Sequence, residues 1–177
     1  MNMIHPDPDR GLLFKGLLFN GTEYYSKVAI GFIWPNSGIV TAYCAVTGGH
    51  TAFSSIGSCT CGIYSTYDVE YAISYRKKGL AGALFLLQPG GETVYYENGA
   101  RSEMAQLIAV VEMDYQSLSV IRASNFFSIP ILRVDTAAAV VDIHMMQLSK
   151  KLGLGYRPKY YSEEKIRGFI ESMQVGG

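Results

Sequence analysis

Four residues of metal-ligating type fall within eighteen positions: Cys44, His50, Cys59 and Cys61. Structural zinc takes four such groups tetrahedrally, mostly thiolates and imidazoles, and the metal itself stabilises the thiolates. The placement suits this chemistry. Cys44 lies near the end of an expected strand, His50 in a loop, and the Cys-x-Cys pair follows that loop. Cys-x-Cys is less usual than the Cys-x-x-Cys knuckle, so two other readings stand beside zinc. The thiols are inert, with Cys44 packed in the core. Alternatively Cys61 is a nucleophile ahead of a helix N-terminus, with His50 as its base. His5 and His144 are weaker ligand candidates, and His144 reads as a packed or solvent-edge histidine of an apolar helix.

Arg101 and Glu103, in GARSE (99–103), are candidate binding residues. A guanidinium grips carboxylate or phosphate through two parallel bonds, and an ordinary surface ion pair is the plain alternative. TGGH, PGGE and GLGY match neither a Walker A loop nor a dinucleotide fingerprint. The pairs Tyr24-Tyr25, Tyr95-Tyr96 and Tyr160-Tyr161 are expected to pack one ring and expose the other.

The elements that must position these residues come from a chain of 177 residues, 49% hydrophobic and 17% charged. That length supports a core without disulfide staples, and the low charge leaves room for a homo-oligomer or a protein partner. Fifteen basic residues balance fifteen acidic ones, so the net charge gives no strong nucleic-acid signal. No apolar run approaches the roughly 20 residues of a membrane span. The N-terminus MNMIHPDPDR lacks a signal-peptide pattern, so a cytoplasmic protein with free thiols or thiolates is expected.

Residues 1–11 read as an irregular arm. LLFKGLLF (12–19), EYYSKVAIGFIW (23–34) and IVTAYCAVT (39–47) read as apolar or strand segments separated by turns at Asn20-Gly21 and 34–38. A loop covers 48–58, and a helix over 66–78 is capped by Ser65, Thr66 or Asp68. LAGALFLLQ (80–88) is a buried strand, PGGE (89–92) a turn and TVYYE (93–97) a strand. NGARSEMA combines turn chemistry with a short helical start, and LIAVVEMD has no decisive period. Helices follow over 114–127, 136–153 and 162–173, with a strand at 131–135. The sum is an α+β chain: a mainly antiparallel β-rich region over 12–135, carrying the Cys/His cluster, and a helical segment over 136–177 packed on it.

CTCGIYS (59–65) followed by ETVYYENGARSEMAQ (92–106) resembles a group of uncharacterised small proteins common in actinobacteria and their phages. Those carry a Cys, a His, Cys-x-Cys-Gly-Ile-Tyr-Ala and then Gly-x-Arg-x-Glu-x-Ala. Cys44, His50, Cys59, Cys61, Gly62, Ile63, Tyr64, Gly99, Arg101, Glu103 and Ala105 fall on that pattern, within residues 34–110. The chain departs from it at Thr51-Ala52-Phe53, where an acidic–Ala–Pro run is usual, and at Ser65, where alanine is usual. The resemblance implies a shared module without an assigned reaction, a recurring zinc-ligand set, and a phage or mobile-element origin.

The expected function is that of a non-enzymatic, soluble binding or accessory protein, with zinc held by Cys44, His50, Cys59 and Cys61 and with Arg101 and Glu103 beside the cluster. The partner is a protein or a small ligand. The alternatives are an enzyme using the cluster, through zinc or a cysteine nucleophile, and a nucleic-acid-binding protein using tyrosines and Arg76-Lys77-Lys78.

Overall fold

The structure is a computed structural model describing residues 10–26, 32–42, 61–74, 82–96, 98–113, 118–154, 156, 164–165, 167–168 and 171. It is α+β: an eight-stranded, mostly antiparallel sheet with helices concentrated toward the C-terminal end. The strands are β1 (Leu13–Phe19), β2 (Tyr24–Tyr25), β3 (Ile33–Trp34), β4 (Ile39–Thr41), β5 (Ile63–Thr66), β6 (Gly82–Tyr96), β7 (Gly99–Glu112) and β8 (Ile131–Arg133). The helices are α1 (Val69–Ser74), α2 (Leu118–Phe127) and α3 (Val134–Leu152).

The frame is the long hairpin β6–β7. In β6, Leu84 and Leu86 join one core while Ala83, Phe85 and Leu87 join the other. A strand buried on both faces reads in sequence as an unbroken apolar run, as 82–87 does. On the first face α3 lays Ala137, Val141, Met145 and Leu148 against Leu12, Leu13 and Leu84. On the second, α2 contributes Val120, Ala123 and Phe127. There the rings of Tyr24, Phe85, Phe126 and Phe127 meet at centroid distances of 4.8–5.9 Å, a separation at which edge-to-face contact is favourable. Asp142, inside α3, accepts a 2.5 Å hydrogen bond from the hydroxyl of Tyr156, which fastens the chain beyond the helix back onto it.

Two bulges account for the places where the sequence pattern misleads. PGGE is not a turn, because β6 runs through it: Gly90 pairs with Met104 and Thr93 with Ser102, so Gly91 and Glu92 together oppose Glu103. Such a bulge leaves a ladder N–H without a strand partner, and the Glu103 carboxylate accepts that of Glu92 at 3.2 Å. Gly91 sits at φ +63°, where a side chain is strained, and a Cβ there would stand 2.5 Å from Glu103 Oε2. The second bulge inserts Ile108 between the pairs Leu86–Ala109 and Leu87–Leu107. It turns Ile108 and Ala109 toward the same core, which is why LIAVVEMD shows no period of two.

Other boundaries also move. In place of one strand over 23–34 there are two short ones, β2 and β3, paired antiparallel with Tyr24 opposite Trp34 and Tyr25 opposite Ile33. NGARSEMA opens β7 and no helix. The strand expected over 131–135 is β8, which pairs parallel to β7, and α3 begins at Val134. Residues 43–47 of the third expected strand, the loop over 48–58 and the basic cluster 76–78 lie outside the described residues. So do the expected apolar-face residues of the last helix (Ile166, Phe169, Ile170, Met173), whose described neighbours are helical and exposed. Among the described residues, no helix is long and apolar enough to cross a membrane.

Candidate functional site

The sheet closes on itself through β5. β1 pairs with β6, β6 with β7, β7 with β5, and β5 back to β1. The β5–β7 ladder is complete, with Ile63 opposite Ser102, Tyr64 opposite Arg101, Ser65 opposite Ala100 and Thr66 opposite Gly99. The two halves of the sequence motif, CGIY and GARSE, are therefore neighbouring strands. Their approach is close. A Cβ on Gly99 would stand 2.0 Å from the carbonyl oxygen of Ser65.

The β5–β1 contact is a single bridge, Phe14 opposite Thr66. Continuing that register would put Gly16 opposite Tyr64, but the strands part there. Lys15 reaches across the break: its Nζ donates a 2.7 Å hydrogen bond to the Tyr64 carbonyl. Around the break lies a cavity of about 540 Å³, within the size range of small-ligand sites. β1 contributes Lys15, Gly16 and Leu17 to its wall, β5 contributes Tyr64 and Ser65, α1 contributes Tyr71, and Tyr96 lines it from the end of β6.

Lys15 is 9% exposed. Burial disfavours its charged form and brings its pKa down from 10.5 to about 8. Among the described residues its hydrogen-bond partner is the Tyr64 carbonyl, and no carboxylate pairs with it. Asp68 also lines the cavity, but its Oδ1 accepts the N–H groups of Glu70 and Tyr71, which makes it the cap of α1. Lys15 was not among the sequence-level candidates. The signal was a lone lysine within the apolar string LLFKGLLF.

The expected site residues are only partly brought together. Arg101 is buried. Its Nη1 donates to the Cys61 carbonyl at 2.9 Å and its Nε to the Tyr96 hydroxyl at 3.1 Å. Glu103 faces the β6 bulge instead. Cys61 is disulfide-bonded, where free thiols or thiolates were expected, and its partner lies outside the described residues. A disulfide sulfur is not the thiolate that zinc binds. Cys44, His50 and Cys59 also lie outside the described residues, as does His5. Among the described residues, no three His, Cys, Asp or Glu side chains gather to hold a metal ion.

Cys61 does not sit at a helix N-terminus. The four residues of β5, about 13 Å of extended chain, come between it and α1, so the helix dipole does not reach the sulfur. His144, on α3, is half-buried, and burial lowers its pKa. Tyr95 packs against the core while Tyr96 is half exposed, and Tyr24 is buried beside a less buried Tyr25. Comparisons of the chain with protein-family models, with curated proteins and with solved structures find no match.

Proposed function

We propose that the protein is a non-enzymatic binding protein that takes a small ligand with an apolar body into the cavity between β1 and β5. The observation that carries this reading is Lys15, a buried amine without a carboxylate partner among the described residues, set in the wall of a cavity of about 540 Å³. A buried ionisable group in a concave, mainly apolar pocket is the usual mark of a binding site. Tyr64, Tyr71 and Tyr96 line the same space and offer flat faces to a planar ligand. The test is a fragment screen by protein-observed NMR on the full chain. Fragments that shift Tyr64 and Tyr71 resonances in the wild type and bind at least tenfold more weakly to Lys15→Met support the reading. Fragments that gather elsewhere, or an unaffected Lys15→Met, would overturn it.

For the reduced protein we propose that Cys44, His50, Cys59 and Cys61 hold a structural zinc. A disulfide at Cys61 means that a second cysteine sulfur can approach it, and reduction would free the pair to separate to the distance of about 3.8 Å that two thiolate ligands of one tetrahedral zinc require. Oxidation and zinc binding are then alternative states of one cluster. Arg101 and the β5–β7 ladder hold the Cys61 end of it in place.

A further inference from the structure

We propose that the ligand of the β1–β5 cavity is an aldehyde or ketone, captured reversibly by the Lys15 amine as an imine. This rests on the cavity reading and names its ligand class.

An anion site gathers several donors, as paired guanidinium and backbone N–H groups do. Among the described residues, this cavity is lined by one amine. The nearby guanidinium of Arg101 is bonded to Tyr96 Oη and Cys61 O. What the site does provide is a nitrogen held at a fixed point, 2.7 Å from the Tyr64 carbonyl, beside open space where the β1–β5 ladder has parted. Leu17, Ala83 and Leu84 add apolar wall that limits water around it. Amine desolvation in an apolar pocket is how lysines become carbonyl nucleophiles.

The step balances without an added oxidant or reductant. The neutral Nζ attacks the carbonyl carbon, forming C–N and giving a carbinolamine. One amine proton passes to the carbonyl oxygen in that addition; the hydroxyl then leaves as water with one proton taken from solvent, and the protonated imine so formed keeps the remaining N–H for the Tyr64 carbonyl. Burial supports the availability of the neutral amine. With a pKa of about 8, about one Lys15 in ten is neutral at pH 7, against roughly three in ten thousand for a lysine at 10.5, an advantage of about 300-fold.

The experiment is reductive trapping on the full chain. 4-Hydroxybenzaldehyde and cyanoborohydride are added at pH 7, and modified sites are mapped by peptide mass spectrometry. In parallel, NMR follows occupancy of the cavity by the aldehyde and by 4-hydroxybenzoate. The expected result is one dominant adduct at Lys15, at least tenfold above any other lysine, absent in Lys15→Arg while aldehyde still shifts the cavity resonances. Label spread over other lysines with Lys15 unmodified would overturn the imine. If cavity shifts persist in that case, including preferential binding of the carboxylate, the binding reading stands alone. If they are absent too, both fall for this class of ligand.

Discussion

Arg101, on β7, donates a 2.9 Å hydrogen bond from Nη1 to the main-chain carbonyl of Cys61, forty positions away and just before β5. Its Nε is held by Tyr96 at 3.1 Å. A guanidinium satisfies both partners from one rigid plane, which an ammonium on a flexible stem does not reproduce. Arg101→Lys is therefore expected to cost about 2–4 kcal/mol of stability, the scale for losing charged hydrogen bonds in a buried setting. Urea denaturation measures it, and a loss below about 0.5 kcal/mol would show that the contact braces nothing.

The β6 bulge depends on Gly91 and Glu103 together. Gly91→Ala places a side chain at φ +63° and against the Glu103 carboxylate, and is expected to cost about 2–3 kcal/mol through strain and displacement. Glu103→Gln keeps an oxygen for the Glu92 N–H and is expected to cost at most about 1 kcal/mol. Thermal denaturation of the two variants side by side checks the order, and a reversed order would remove the bulge argument.

Lys15 couples stability to pH. Its folded pKa, about 8, lies below the ordinary 10.5, so between these values the unfolded chain binds a proton that the folded chain does not, and stability rises with pH. Other groups titrate in the same range, so the measurement is the difference between wild type and Lys15→Met. That difference is expected to move in favour of the wild type by about 2–3 kcal/mol from pH 7 to pH 10. A flat difference would mean that the buried amine is not depressed.

The cysteine cluster is expected to answer to redox conditions. Protein purified with reductant should carry near one zinc per chain by mass spectrometry of metals, and Cys59→Ser should lose both the metal and thermal stability. Protein oxidised before metal is added should show Cys61 in a disulfide by peptide mapping and take up no zinc. Absence of zinc from reduced wild type and mutant alike would remove the zinc proposal.

Local patterns in the chain determined a good part of the fold. The α+β class, a buried strand read at 80–88 and the long C-terminal helix were legible, because each rests on short-range physics: burial period and helix propensity. Of the three cap candidates Ser65, Thr66 and Asp68, the structure selects Asp68, the first two lying in β5. PGGE was misread for a physical reason. Gly91 at positive φ serves a turn and a bulge equally, and only the opposing strand, with Glu103 on it, makes it a bulge. Arg101 was found as a residue of interest, but its partner was invisible, because nothing local links it to a carbonyl forty positions upstream. Lys15 shows the limit most plainly. In sequence it is one charge in an apolar string. It becomes a buried amine in a cavity wall because β1 and β5 meet at one bridge and then part, a relationship between distant segments that tertiary packing alone decides.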